Sequence, residues 1–455
     1  MKLKHHKMKS LDRIHRFTSA QLIVLYYISA VIIATLLLSL PFTHRPGVEL
    51  TFVDTLFTAV SAISVTGLTV VNTADTFSTP GYFVLMFVLQ FGGIGIMTLG
   101  TFVWLLFGKR IGLRERQLIM TDQNQTTLSG LVQLMKHILG LILIIEFIGF
   151  LILGTYFLQY FPSWQEAYIQ GAFAAVSATT NAGFDITGSS LVPFADDYFV
   201  QFLNIVLLIL GAIGFPVLIE AKEFLTYKGD NYRFSLYTKL TTTTFFLLVL
   251  IGTIFILVFE QGNFLADKSW HESFFYALFQ SVTTRNGGLA TMDVSQFNTG
   301  TLLGISMLMF IGASPSSVGG GVRTTTFAIA VLSLYVFARG KTTIKIFDRE
   351  IYQNDVIRSY IVITTASLIC AFAVITLSTI EDAFTLTEII FEVSSAFGTT
   401  GLSMGITPEL STGGKSVIML LMFIGRIGIF SLLFIVRGKE IKEHYHYPKE
   451  RVIIG

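Results

Sequence analysis

One eight-residue pattern, opening on serine and carrying glycine at its seventh position, occurs four times in this chain. It reads SAISVTGL at 61–68, SATTNAGF at 177–184, SVTTRNGG at 281–288 and SAFGTTGL at 395–402. The glycines Gly67, Gly183, Gly287 and Gly401 stand 116, 104 and 114 residues apart, so the chain is built on four copies of one unit. A single turn of this kind is no more than a helix C-cap. Four in register are an architecture.

The rest of the unit is apolar. Hydrophobic residues make up 52% of the 455 and charged ones 13%, too little polar surface to coat a soluble particle. Stretches long enough to cross about 30 Å of hydrocarbon as helices lie at 20–40, 82–107, 131–157, 198–219, 240–259, 301–337, 360–377 and 417–436, two for each turn. The segments before the turns, VDTLFTAV, GAFAAV, ESFFYALFQ and EIIFEV, are about half the length of a crossing, so they are expected to dip into the membrane and stop. Irregular backbone at membrane depth is tolerated only where protein buries it or water bathes it, and four such turns imply one shared aqueous axis. Two spans separate successive turns, so all four enter from the same face, unlike the halves of an inverted-repeat transporter.

Charge placement orients the unit. Of 31 Lys and Arg residues, 25 fall in the N-terminal tail, 109–136, 222–239, 339–358 and the C-terminal tail, and only Arg45, Lys268 and Lys415 in the opposite loops. The positive-inside rule puts both termini in the cytoplasm of a multi-pass plasma-membrane protein. The expectation is an all-α membrane protein of four parallel helix, pore helix, helix (M1-P-M2) repeats around one central pore, with eight spans. The divisions are a cytoplasmic tail at 1–18, repeats at 19–118, 119–229, 230–350 and 351–437, and a second tail at 438–455. The basic first 16 residues resemble the start of a signal peptide, but the apolar run after them is too long, and it reads as a retained first helix. Cys370, the single cysteine, lies in an apolar span and reads as a packing residue.

The second span of each copy carries its own echo: FGGIGI at 91–96, LGAIGF at 210–215, FIGASP at 310–315 and FIGRIGI at 423–429. Glycine here serves close helix packing or a functional purpose, and the residues leave both open. In the third copy the centre reads GASPSSVGGGV, with one proline and three consecutive glycines. No helix persists through it, so two half-helices are expected to flank an irregular segment at membrane depth: Gly312, Ala313, Ser314, Pro315, Ser316, Ser317, Val318, Gly319, Gly320 and Gly321.

Four backbone turns pointing carbonyls at one axis can replace the hydration shell of K⁺. Glycine reaches angles that aim its carbonyl inward and leaves room for the ion. The residues before the glycines, Val65 and Thr66, Asn181 and Ala182, Arg285 and Asn286, Thr399 and Thr400, share little beyond modest size, so backbone must carry the binding. Arg285 is expected to point away from the axis, toward backbone carbonyls or an acid behind the turn.

Together the four turns, the broken span before VGGGVRTTTF and the arginine of FIGRIGI resemble the Ktr, Trk and HKT superfamily of K⁺ transporters, most of all the bacterial Ktr-type membrane subunit, over essentially the whole chain. The resemblance implies that Gly67, Gly183, Gly287 and Gly401 are selectivity-filter glycines, that 312–321 is an intramembrane gating loop, and that Arg426 lies near the pore below the filter. It implies a homodimer with one pore per protomer, seated on a cytosolic nucleotide-binding regulatory ring, with K⁺ uptake often stimulated by Na⁺. Glycine in all four turns, where plant-type relatives place serine in the first, favours K⁺ over Na⁺. No cofactor and no nucleic-acid partner is expected beside the lipid bilayer.

Alternatives remain at this point. An ion-coupled symporter fits the residues as well as a gated channel does. An enzyme needs a cluster of reactive side chains, yet five of the eight histidines lie in the tails and the others are scattered. GASPSSVGGG lacks the GK[ST] ending of a phosphate loop. Glu146, inside an apolar span, is either a proton or Na⁺ site or a hydrogen bond to a neighbouring helix. Arg426 either pairs with an acid or with carbonyls of the broken span, or faces the pore as a barrier to cations.

Overall fold

The computed structural model describes residues 18–95, 130–229 and 231–437, with isolated positions elsewhere. Most of both tails, most of the basic stretch 109–136 and the second span beyond Gly95 lie outside the described residues.

In chain order the principal helices are α1 (Ser19–Leu38), α2 (Phe52–Ser64), α3 (Thr79–Ile94), α4 (Leu131–Tyr156), α5 (Trp164–Thr179), α6 (Tyr198–Ala212), α7 (Phe215–Thr226) and α8 (Leu236–Phe259). They continue as α9 (Trp270–Thr283), α10 (Thr299–Phe310), α11 (Thr324–Ala338), α12 (Gln353–Ile380), α13 (Leu386–Gly398), α14 (Thr412–Ile427) and α15 (Ile429–Arg437). Four helices, Gln21–Leu38, Leu131–Gln159, Leu236–Phe259 and Gln353–Ile380, are long and apolar enough to cross a membrane. Two bent pairs raise that number to six among the described residues. The all-α expectation is broken by one hairpin, β1 (Lys345–Ile346) against β2 (Arg349–Glu350). Phe347 and Asp348 turn it with φ of 50° and 61°, the left-handed pair of a tight two-residue turn.

The short helices α2, α5, α9 and α13 start alike. Thr51, Ser163, Ser269 and Thr385 accept the backbone N–H three residues on, at Asp54, Glu166, Glu272 and Glu388. Each cap is worth about 1 kcal/mol, and the acid in the first turn suits the positive end of the helix dipole. At Ser269 and Thr385 the glutamate also accepts the cap's own N–H at 2.7 Å, completing a capping box.

Packing is cyclic. α3 lies on α5, α6 on α9, α10 on α13, and α14 returns to α2, so the last quarter of the chain closes on the first. Where α14 meets α2, Lys415 Nζ sits 2.8 Å from Asp54 Oδ1, with both side chains more than four-fifths buried. Replacing Lys415 by alanine is expected to cost about 1 kcal/mol, since a partly screened pair is worth little more. Thermal unfolding in detergent checks this, and the loss should not add to that of Asp54→Ala if the pair is the cause.

The break in the second helix is not confined to the third copy. α6 and α7 meet at 105°, and α14 meets α15 at 97°. The residues at the corners are Gly214 and Gly428, with φ of 104° and 87°, and α3 stops at Gly95 with φ of 94°. Pro315 takes the corresponding place in the third copy. The first glycine of the echo and the residue three places on therefore do different things. The second breaks the helix, and the first lets it touch the turn: a Cβ on Gly92 would sit 2.6 Å from the Ala62 carbonyl oxygen.

Candidate functional site

The short helices α2, α5, α9 and α13 all end at buried turns. Each turn holds one residue in the left-handed region, Val65, Asn181, Asn286 and Thr399, with φ of 57°, 52°, 76° and 52°. Two residues later comes a glycine with positive φ: Gly67 at 89°, Gly183 at 70°, Gly288 at 69° and Gly401 at 95°. Asparagine tolerates this conformation, but for a β-branched Val65 or Thr399 it is strained and must be imposed by surroundings. The serine that opens the pattern imposes it. Ser61, Ser177 and Ser395 carbonyls accept the N–H of Thr66, Ala182 and Thr400 at 2.8–2.9 Å. The hydroxyls of Ser61 and Ser395 cap the N–H of Gly67 and Gly401 at 3.1 and 3.0 Å.

The third turn departs from the sequence reading. Gly287 does not have positive φ, and a Cβ on it would meet Thr283 of its own helix, so Gly288 and not Gly287 stands with the other three. Arg285 takes up the helix register in which the others place their left-handed residue, its N–H bonding to Val282, and the turn then holds one residue more. That extra residue moves the glycine on by one place.

The four glycines form a closed ring of backbone. A Cβ on Gly67 would lie 2.6 Å from Ala182 O and 2.9 Å from Gly183 Cα; on Gly183, 2.9 Å from Gly288 Cα; on Gly288, 2.6 Å from Thr400 O; on Gly401, 3.0 Å from Gly67 Cα. No side chain fits between them. All four border one cavity of about 180 Å³ that also touches Asp185, Asp293 and Ser403. What such a ring offers chemically is peptide dipoles with nothing in front of them, the donor set of a dehydrated alkali cation.

Arg285 is fully buried and points away from the ring, donating to the Leu308 carbonyl of α10 and to Thr284 Oγ1. Of the partners that the sequence allowed it, it meets one carbonyl. Asn286 turns the other way, its Nδ2 donating to Gly398 O at 2.6 Å, Thr399 O at 2.9 Å and Thr399 Oγ1 at 2.6 Å.

Between α10 and α11 residues 312–321 run irregularly, as the proline and glycines require. The segment leans on α6 through Ser314 N to Ala212 O (3.1 Å) and Val318 N to Gly211 O (3.3 Å), and on α14 through Gly321 N to Gly425 O (3.2 Å). Tyr237 of α8 donates to Pro315 O at 2.5 Å, and Arg323 folds back to the carbonyls of Ser314 and Gly319. Arg426 donates to the carbonyl of Val318 in the segment and to that of Gly92 on α3. A second cavity, of about 350 Å³, is bordered by Pro315, Gly321, Arg323, Arg426 and Tyr27. Glu146 on α4 is buried and accepts from Gln90 of α3, the neighbouring-helix hydrogen bond that the sequence allowed.

Compared with known proteins, residues 5–443 match the family described as TrkH, cation transport protein. The chain is 60% identical over 455 residues, all of both chains, to Ktr system potassium uptake protein D of Bacillus subtilis (strain 168). It is 36% identical over 448 residues, 97% of each chain, to Ktr system potassium uptake protein B of the same organism. It is 34% identical over 446 residues, 97% of this chain and 98% of the other, to the potassium/sodium uptake protein NtpJ of Enterococcus hirae. Its fold resembles the crystal structure of the potassium transporter TrkH from Vibrio parahaemolyticus, with a TM-score of 0.69 at 20% identity over 90% of this chain and 84% of that one.

Proposed function

This chain belongs to the TrkH cation transport protein family, and on that premise we propose that it is the K⁺-conducting membrane subunit of a potassium uptake system. The observation that carries the reading is the closed ring of Gly67, Gly183, Gly288 and Gly401, four backbones from four quarters of the chain meeting with no side chain between them. K⁺ sheds water there onto carbonyls of the turns, to which Val65 and Thr66, Asn181 and Ala182, Asn286 and Gly287, and Thr399 and Thr400 contribute backbone. The helices α2, α5, α9 and α13 end at the turns, so the negative ends of their dipoles favour a cation at the axis. That the 60% identical relative is named for potassium uptake supports the choice of ion.

The helices group into four membrane units of span, pore helix and span at 19–118, 119–229, 230–350 and 351–437. Eight crossings result when α6 with α7, α10 with α11, and α14 with α15 each count as one broken span. Both termini and the three basic loops face the cytoplasm. Residues 312–321 form the gate: the segment has no helix or strand of its own and borders a cavity on one side, so it takes a second position when its hydrogen bonds to α6, α8 and α14 are exchanged. The push comes from a cytosolic nucleotide-binding partner ring on which two copies of this chain sit; the word "system" in the relatives' names supports a partner component and no more than that. Stimulation by Na⁺ belongs to the same reading.

Purified protein in liposomes tests it. Flux is expected to follow a K⁺ gradient with little response to an equal Na⁺ gradient, and deletion of Ala313 to Val318 is expected to raise it at least about tenfold by removing about 1.4 kcal/mol or more of barrier. Equal K⁺ and Na⁺ flux in the intact protein would count against the ring as a K⁺ filter. Unchanged flux in folded deletion protein would count against the gate.

A further inference from the structure

The four left-handed residues of the ring do not have equivalent side chains. Val65 has no polar atom, and the Asn181 amide donates to Ala178 and Leu208 carbonyls, at 2.7 and 3.1 Å, within its own quarter of the chain. Asn286 instead crosses to the fourth turn, where it donates to Thr399 Oγ1 at 2.6 Å. That same hydroxyl accepts the N–H of Gly320 at 2.8 Å. One oxygen atom thus joins the third turn, the fourth turn and the irregular segment, and all three residues are buried. Space there is tight: a Cβ on Gly320 would lie 2.7 Å from Thr399 Oγ1 and 2.7 Å from Gly425 O, and one on Gly319 would lie 2.5 Å from Asn286 Cγ. The segment cannot move without changing what Thr399 and Asn286 hold.

We infer that the Thr399 hydroxyl and the Asn286 amide couple the position of the 312–321 segment to the geometry of the ring, so that ion selectivity depends on where the segment sits. The inference rests on reading the ring as the filter and the segment as the gate. Displacing Gly320 takes a donor from Thr399 and loosens the seam of the ring that Asn286 and Thr399 stitch together. Coupling of this kind is reciprocal, so ions that settle the ring in its selective form also favour the segment's present place.

A double-variant cycle on the full-length protein in liposomes, read as the ratio of K⁺ to Na⁺ flux, tests the coupling. Thr399→Val keeps the β-branched shape and loses the acceptor. Gly320→Ala pushes the segment off the same atom, and because Gly320 does not have positive φ the backbone accepts alanine. Each is expected to lower the ratio about three- to tenfold, the size of one hydrogen bond's net worth. The double variant should be no worse than the worse single one, and Thr399→Ser, which keeps the hydroxyl, should stay within about twofold of wild type. Losses that multiply in the double variant overturn the coupling, as does a serine variant as poor as valine or an unchanged ratio in both single variants. A wild-type protein with no K⁺ preference in the same assay overturns the filter reading itself, and the coupling with it.

Discussion

Alanine in place of Gly288 should reduce K⁺ flux by about a hundredfold, whereas alanine at the adjacent Gly287 should leave selectivity intact in the protein that folds. Gly288 has φ of 69°, where an L-residue is strained, and its added Cβ would stand 2.6 Å from Thr400 O and 2.7 Å from Gly183 Cα. Both are backbone atoms of other turns, with no flexible end to swing aside. Left-handed strain of about 1–2 kcal/mol and overpacking of about 1–3 kcal/mol then fall on the ring itself, enough for two decades. At Gly287 the added carbon meets Thr283 instead, 2.6 Å from its Oγ1 and 2.8 Å from its Cα, inside the end of α9. That overlap costs folding, not the shape of the axis. Folded yield and K⁺/Na⁺ flux measured on both variants separate the two, and a Gly287→Ala protein that folds well but has lost selectivity would return Gly287 to the ring.

This pair also marks where sequence and structure part. Four turns in register gave away the four quarters of the chain, and the run of proline and glycines located the segment between α10 and α11. These are signals of composition at fixed spacing, and they survive any detail of packing. The register of the third turn does not. Two adjacent glycines, Gly287 and Gly288, satisfy the same pattern, and only the extra residue that Arg285 introduces after the helix decides between them. A signal was present, because Asn181 and Asn286, the residue type that best tolerates left-handed backbone, each stand two places before the ring glycine when Gly288 is chosen. With Gly287 chosen the spacing fails. The bends at Gly214 and Gly428 were legible in the same way, as a second glycine three residues after the first in each echo, but glycine in a membrane helix more often serves packing and does not announce a break. The role of Thr399 was beyond reach, since its partner Gly320 lies 79 residues away in a segment with no periodicity to place it.

Arg426→Ala should raise K⁺ flux by about three to four decades, for two reasons that act in the same direction. Its guanidinium donates to Val318 O in the segment and to Gly92 O on α3, so it braces the segment against the first quarter of the chain. It also borders the 350 Å³ cavity beside the segment, where its charge opposes a cation. A unit charge about 6 Å from K⁺ at an effective dielectric near 20 adds roughly 3 kcal/mol, about a hundredfold in rate. Hydrogen bonds from a charged donor to carbonyls are worth about 1.5–3 kcal/mol, so releasing the segment lowers the barrier by a similar amount. On the proposed reading one side chain would carry both of the roles that the sequence left as rivals, and lysine divides them. Arg426→Lys keeps the charge, but its single ammonium on a flexible stem cannot reproduce a planar fork reaching two carbonyls. Flux in the lysine variant is therefore expected to rise by about ten- to a hundredfold, between wild type and alanine. Selectivity should shift by no more than the few-fold carried through Thr399. A monodisperse Arg426→Ala protein with unchanged or lower flux would show the arginine to be only a brace that the open state needs, and a lysine variant identical to wild type would assign the whole effect to charge.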